Sequence, residues 1–485
     1  MKALLAVLRP LGVIGMAMSL SHLVPITVSL IYNDGALRAF FVSMLFNFVV
    51  AMITFLAARN VKYDLKPRDG MLLVVLAWSG GAAFATLPLL MMIPGLSFTD
   101  AYFETISGLT ASGGTVLSGL GALAPSLNIW RALLVWLGGM GVIVLAVAIL
   151  PLLGVGGRQI FKAETPGPMK DQKLTPRIAE TAKGLWLVYV LLSIVCLFAY
   201  HIAGMSWLEA WIHTFTTMGL GGFSNHDASF AHWNSPAIEA VAIVFMLIAS
   251  VNFSTHFLAF RGHSLKYYLR DSEMRLCLLL IIGSCFAIAG YLLVKGIYPD
   301  YWTALRFASF NVVSVASTTG YSNTDYNLWP VFATMWMLFL GSFATCSGST
   351  GGGIKMIRAQ LLYVQIYREF IKLLHPSAVS PVKLDGQVIE NKVIFAVLAF
   401  LFIYVASLVS ITLALLASGL DAITAFSAAA ASLNNLGPGL NQVGPATTYA
   451  ALTDFQTWVC TFAMLLGRLE LFTLLIVFTP AFWRR

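Results

Sequence analysis

Residues 310–321 read FNVVSVASTTGY, a helix-sized apolar segment that runs into a small, hydroxyl-rich end carrying a glycine. Three more segments share its outline: FETISGLTASGG at 103–114, IHTFTTMGLGGF at 212–223 and SAAAASLNNLGP at 427–438. Aligned by their ends, all four place a glycine at the same offset, Gly113, Gly222, Gly320 and Gly437, spaced 109, 98 and 117 residues apart. One Gly-Gly pair in an apolar chain would signify no more than close helix packing. Four in register define an internal repeat.

Outward from these segments, apolar runs roughly long enough to span a bilayer occupy 11–31, 37–58, 71–94, 129–153, 185–203, 237–260, 276–295, 331–365, 393–418 and 456–481. Each of the four segments lies between two such runs and is too short to span by itself. The unit is therefore a spanning helix, a half-length segment with a polar end, and a second spanning helix. It recurs at 59–153, 154–260, 261–372 and 373–485, while two helices within 1–58 stand outside the pattern. Apolar side chains make up 59% of the 485 residues and charged ones 10%, with a mean hydropathy of +0.83. A soluble core cannot hide that much apolar surface, so lipid is the solvent. In hydrocarbon every backbone polar group needs an internal partner, and long runs without ten-residue alternation read as helices rather than a β-barrel.

The basic residues sort by connection. Arg59, Lys62, Lys66 and Arg68 fall in 59–70, and Arg158, Lys162, Lys170, Lys173, Arg177 and Lys183 in 154–184. Arg261, Lys266, Arg270 and Arg275 follow, then Lys355, Arg358, Arg368, Lys372, Lys383 and Lys392. By the positive-inside rule these connections and both termini are cytoplasmic, so the net charge of +8 reflects membrane orientation rather than a nucleic-acid partner. The alternate connections, near 95–128, 204–235, 296–328 and 419–455, face outward and hold the half-length segments. Cys196, Cys277, Cys285, Cys346 and Cys460 are odd in number and lack ligand-like spacing, which indicates neither a disulfide framework nor a zinc site. No short apolar region with a small-residue cleavage site marks a removable signal peptide.

A half-helix that enters from outside and stops at mid-membrane leaves backbone groups unpaired, tolerated only where they line water or coordinate an ion. Its C-terminal dipole end favours a cation. Thr318-Thr319-Gly320-Tyr321 and Asn435-Leu436-Gly437-Pro438-Gly439 resemble the Thr-Val-Gly-Tyr-Gly filter of potassium channels, in which backbone carbonyls replace the ion's hydration shell. Ala111-Ser112-Gly113-Gly114 and Leu220-Gly221-Gly222-Phe223 match more loosely. Four non-identical strands, each reduced to one glycine, resemble the Trk/Ktr/HKT superfamily of cation transporters, and the two extra N-terminal helices resemble its bacterial TrkH branch. The resemblance covers essentially the whole chain. It implies an all-α polytopic membrane protein with four pseudo-symmetric M1-P-M2, potassium-channel-like repeats around a central pore. It further implies that carbonyls of Ala111, Ser112, Gly113, Leu220, Gly221, Gly222, Thr318, Thr319, Gly320, Asn435, Leu436 and Gly437 form the K⁺ filter. Glycine at all four positions favours K⁺ over Na⁺ by the same resemblance, because members that pass Na⁺ well tend to carry serine at the first.

The run 331–365 is interrupted by Gly341-Ser342-Phe343-Ala344-Thr345-Cys346-Ser347-Gly348-Ser349-Thr350-Gly351-Gly352-Gly353, which cannot easily remain a straight helix. The resemblance assigns Thr345, Cys346, Ser347, Gly348, Ser349, Thr350, Gly351, Gly352 and Gly353 to an intramembrane gate loop beneath the filter; the plainer reading is a packing kink. A nucleotide-binding P-loop fails, since Ile354 separates glycine from Lys355 and Met356 replaces the required Ser or Thr. Arg468 lies in the middle of the last apolar run, near Glu470, where an ionisable residue is a functional candidate. The resemblance points it into the pore below the filter; the plainer reading pairs it with a carboxylate or carbonyls to fix packing. Glu104 and His213 share one repeat offset and either draw cations to the mouth or satisfy local hydrogen bonds. His226 and His232 carry no assignment beyond solvent exposure.

No cofactor is expected, K⁺ being the transported ion, and no catalytic constellation points to an enzyme. The resemblance implies a homodimer in the bacterial inner membrane on a cytosolic ring of TrkA-like nucleotide-binding subunits, with 154–184 and 355–392 as docking candidates. A second reading is an alternating-access cation symporter, whose repeats would usually be two and inverted.

Overall fold

The computed structural model describes residues 2–61, 63, 65–149 and 178–484. Most of the basic connection at 154–184, with the boundary between the first two repeats, lies outside them. The described regular structure is helical apart from one small ribbon pairing Lys383–Leu384 with Gln387–Val388 around a turn at Asp385-Gly386. Both turn residues have positive φ, as a two-residue hairpin loop requires.

Among the described residues, six stretches are long and apolar enough to cross a membrane: Leu5–Tyr32, Leu37–Ala58, Arg68–Met92, Lys183–Ile202, Ser272–Val294 and Asn391–Ala417. Their outer faces expose Phe41, Leu45, Leu187, Leu279, Phe286, Phe395 and Phe402. The helix Pro125–Ile149 reaches the edge of the described residues. Three of the ten expected spans are not straight. The break in 331–365 was anticipated, and it separates Val331–Gly341 from Met356–Leu374. The run 237–260 divides into Pro236–Ser250 and Phe253–Gly262, bent by 94°. There Asn252 caps the second helix by accepting from the Ser254 N–H at 2.8 Å. The run 456–481 turns by 112° between Asp454–Arg468 and Phe472–Phe478, where Glu470 leaves the helix axis to pair with Arg358. Hydropathy averages pass over a single Asn or Glu, so the last two bends escaped the sequence reading.

Four half-helices, Phe98–Leu109, Trp207–Gly219, Tyr301–Ala316 and Ala422–Asn434, run 12 to 16 residues. At about 1.5 Å per residue they fall short of a hydrocarbon core about 30 Å thick. Each starts on a side-chain cap: Ser97, Ser206, Asp300 and Asp421 accept from the backbone N–H of Asp100, Glu209, Thr303 and Thr424. In the outer connections, hydrogen bonds from Thr303 and Thr424 hold the Asp300 and Asp421 carboxyls below the usual range, so both caps stay ionised at neutral pH.

Two large apolar clusters flank the converging ends of these helices, one drawn mainly from 185–356 and the other mainly from 77–134 and 400–474. Close approach depends on glycine. A Cβ on Gly138, Gly341 or Gly467, each on a second spanning helix, would press into the carbonyl of Leu109, Val315 or Leu433 at a half-helix end. Gly467→Val is therefore expected to destabilise the protein by about 1–3 kcal/mol, read as a lowered midpoint of thermal unfolding in detergent.

Candidate functional site

All four half-helices end in the same way. The chain turns left-handed at Ala111, Leu220, Thr318 and Asn435, with φ of 53°, 54°, 61° and 53°. The next N–H then reaches back to the helix: Ser112 to the Ser107 oxygen at 2.8 Å, Gly221 to Thr216 at 3.0 Å, Thr319 to Ser314 at 2.8 Å and Leu436 to Ala431 at 2.9 Å. Such a stop is ordinarily made by glycine, because a Cβ disfavours the left-handed basin. None of these four residues is glycine. Backbone strain at four equivalent positions persists only where the surroundings enforce it.

Two residues further on, Gly113, Gly320 and Gly437 are left-handed as well, with φ of 86°, 89° and 96°. Gly222 is not among the left-handed residues, and its constraint is space. A Cβ on Gly113 would lie 2.5 Å from the Gly222 nitrogen, and one on Gly222 would lie 2.6 Å from the Thr319 oxygen. One on Gly320 would press on the Leu436 oxygen, and one on Gly437 would sit 2.8 Å from the Ser112 oxygen. The strands thus meet in chain order and the fourth returns to the first, closing a ring. Residues 111–113, 220–222, 318–320 and 435–437 come together there, as the sequence predicts. Above the ring lies a cavity of about 210 Å³, lined by Gly113, Gly222, Gly320 and Pro438 among others.

Side chains hold each strand from behind. Glu104, His213 and Asn311 sit nine residues before their glycines and are fully buried. Glu104 accepts from the Val116 N–H at 3.0 Å and pairs with Arg131 at 2.7 Å. Arg131 also donates to the Ser224 carbonyl at 3.2 Å, stacks 4.4 Å over Phe223, and so ties the first two strands together. His213 Nε2 lies 3.1 Å from Ser224 Oγ, and Asn311 donates to Asn323 at 2.6 Å. Ala428 occupies the fourth position, and Ser427 takes over by accepting from the Leu440 N–H at 2.8 Å. Of the two readings of Glu104 and His213, the structure supports the local hydrogen bonds. Tyr321 reaches the hydroxyls of Thr216 and Thr217, and the Tyr449 hydroxyl donates to the Gly437 carbonyl at 2.8 Å. Sequence reasoning missed Arg131, although it is an ionisable residue in an apolar run, the same signal that singled out Arg468.

The segment 342–355 lies directly beneath the ring. The Gly352 N–H donates to Thr318 Oγ1 at 3.0 Å, and Thr350 Oγ1 donates to the Met218 carbonyl at 3.0 Å. Thr345 closes the loop on the Gly352 carbonyl at 2.8 Å, and Lys355 reaches the Gly351 carbonyl. Buried Glu273, which no sequence pattern had marked, accepts from the N–H groups of Ser347 at 2.7 Å and Ile357 at 3.0 Å. Arg468 donates to the Thr350 carbonyl at 2.9 Å and to the Gly138 carbonyl. These two bonds tie the loop to the first repeat through carbonyls, as the plainer reading of Arg468 expects. Glu470 pairs with Arg358 instead.

Four half-helix C-termini around a closed ring of backbone, inside a bundle that faces lipid, define a helical membrane protein of the cation-transport class. The chain belongs to the TrkH family, whose model, described as a cation transport protein, matches residues 36–485. It is 44% identical over 483 residues to the Trk system potassium uptake protein TrkH of Halomonas elongata, and 42% identical over 484 residues to that of Escherichia coli K12, with 99% of each chain covered. The crystal structure of the potassium transporter TrkH from Vibrio parahaemolyticus matches with a TM-score of 0.90 at 41% identity, covering 99% of both chains.

The buried pair behind the first strand gives a stability prediction. Arg131→Leu leaves the Glu104 carboxylate buried without its cation and is expected to cost about 3–5 kcal/mol. The double variant Glu104→Leu/Arg131→Leu is expected to lose less than the sum of the two single changes, measured by thermal unfolding in detergent.

Proposed function

We propose that this chain is the K⁺- and Rb⁺-translocating pore subunit of a Trk-type potassium uptake system. Ions pass in channel fashion through the filter of Ala111, Ser112, Gly113, Leu220, Gly221, Gly222, Thr318, Thr319, Gly320, Asn435, Leu436 and Gly437. The observation that carries this reading is the ring of four glycines, each abutting the next strand's backbone. A ring with no room for a Cβ leaves carbonyl oxygens as the groups that can face an axial ion, and carbonyls at that density replace a hydration shell.

The gate is the loop Thr345–Gly353, held beneath the filter, and Arg468 supplies a positive charge on the path. The repeats run over 59–153, 154–260, 261–372 and 373–485 after the two N-terminal helices in 1–58. The protein sits in the bacterial inner membrane with both termini cytoplasmic. It works as a homodimer on a cytosolic TrkA-like nucleotide-binding ring, and the exposed helix Met356–Leu374, continuous with the loop, offers the regulator a lever.

Ion flux into liposomes holding the purified protein tests conduction. K⁺ and Rb⁺ are expected to pass well ahead of Na⁺ and Li⁺, and Gly113→Ser is expected to lose that preference. Flux that is absent, or cation-blind and unchanged by the substitution, overturns the filter and favours alternating access. Arg468→Leu removes both a charge and a latch on Thr350. A charge-assisted hydrogen bond contributes about 1.5–3 kcal/mol, so Rb⁺ flux without the regulator is expected to rise about tenfold or more.

A further inference from the structure

Among the described residues, one cluster of metal-ligating side chains stands outside the filter and the loop. Glu209, His226 and His232 each offer one ligand atom, and these atoms all lie within 4.8 Å of one another. Glu209 comes from the first turn of the second half-helix, His226 from the connection just past Gly222, and His232 from the short turn Ser229–His232. The His226 and His232 rings stack with centroids 3.5 Å apart and planes 8° apart, and His226 Nε2 lies 3.0 Å from Glu209 Oε1. The cluster is braced from behind. The other Glu209 oxygen accepts from the Ser206 N–H at 2.9 Å, and the His226 N–H donates to Ser224 Oγ at 3.1 Å. The Trp233 ring stands edge-on to both imidazoles, 5.0 and 5.1 Å away. His226 also lines the outer cavity together with Gly113, Gly222 and Gly320.

We propose that Glu209, His226 and His232 form a zinc-type divalent metal site at the outer mouth, and that filling it slows cation influx. Two imidazoles and one carboxylate suit zinc rather than the all-oxygen shells of calcium or magnesium. At bond lengths of about 2.0–2.1 Å, ligand atoms on a tetrahedral zinc lie about 3.3–3.5 Å apart. The two rings lie parallel, so one ion cannot lie in both ring planes; binding turns the exposed His232 ring out of the stack toward the ion, and the fourth position stays open to water. The Ser206 N–H on the second Glu209 oxygen is the kind of partner that fixes a carboxylate ligand's orientation in metal sites. A doubly charged ion beside the cavity repels a monovalent cation approaching the ring. The site stands on the cluster alone, whereas its effect on influx rests on the conduction reading above.

Calorimetric titration of the full-length purified protein with zinc chloride tests the site, with wild type beside Glu209→Gln and the surface double variant His226→Ala/His232→Ala. One zinc per chain is expected, with affinity at least tenfold weaker in each variant and no comparable binding of magnesium. Absent saturable binding, or binding equal in all three proteins, overturns the site. In cells that take up Rb⁺ through this chain, external zinc is expected to slow uptake several-fold in wild type and to spare the double histidine variant, each compared with its own zinc-free rate. Saturable binding with no change in uptake overturns the effect on influx. Absence of any Rb⁺ uptake without zinc instead faults the conduction reading, and the calorimetry still decides the site.

Discussion

Four strands of one chain share a ring so tight that a Cβ on any of Gly113, Gly222, Gly320 or Gly437 would enter the backbone of the next strand. The rest of the structure answers to that closeness. Backbone at membrane depth must be bonded internally or face water or an ion, so the strands need rigid supports that do not fill the axis. Half-helices capped at their outer ends supply them, because each sends a single reversed turn into the ring and aims the negative end of its dipole there. The reversal costs strain at Ala111, Leu220, Thr318 and Asn435, all in the left-handed basin. Packing on both sides has to impose it.

That demand is fourfold, but the chemistry that meets it is not. The first strand is held by a buried ion pair, the second by an imidazole, the third by an amide and the fourth by a hydroxyl. Each anchor sits in its own packing environment, so each repeat was free to find a different donor or acceptor for the same backbone position. A homotetramer has no such freedom, since one side chain must serve all four places. Unequal anchors also couple neighbours unequally: Arg131 bridges the first and second strands, and Tyr321 ties the third to the second half-helix. The fourth strand is tied to the first by Asn435, which donates to Ser112 Oγ at 2.8 Å, and is held as well through Ser427 and Tyr449.

The glycine offsets made the repeats legible in the sequence because glycine alone meets the spatial demand, whatever the surrounding side chains. The broken helix after Gly341 was legible for a similar reason, since a stretch of thirteen residues that are all small except Phe343 has no good straight-helix solution at membrane depth. Of the anchors, Glu104 and His213 were legible by their shared offset, whereas Asn311 and Ser427 were not, because the four share a task without sharing a residue type. The left-handed residues were invisible for the opposite reason: Ala111, Leu220 and Thr318 adopt that conformation under tertiary pressure and against their own preference, and only Asn435 is of a type that tolerates it. The bends at Asn252 and Glu470 depend on partners distant in sequence, the loop near Gly348 and the side chain of Arg358. Hydropathy carries no trace of either.

The loop under the ring is fastened in two zones of different character. Its shoulders rest on the periphery, where Glu273 takes the N–H groups of Ser347 and Ile357 and the Gly348 carbonyl accepts from Phe253. Its centre touches the underside of the ring through Gly352 on Thr318 and Thr350 on Met218, with Arg468 on Thr350. Displacing the centre while keeping the shoulders breaks about three hydrogen bonds, one of them charged, on the order of 3–5 kcal/mol. A ligand must supply about 5.5 kcal/mol of differential binding to carry a two-state equilibrium from 1:99 to 99:1. The central fastening is therefore strong enough to keep the proposed gate mostly shut and weak enough for a regulator, pulling on the helix that begins at Met356, to open it. In the proposed mechanism Arg468 makes the two outcomes exclusive, because the guanidinium that holds Thr350 is also the charge that a passing cation would meet.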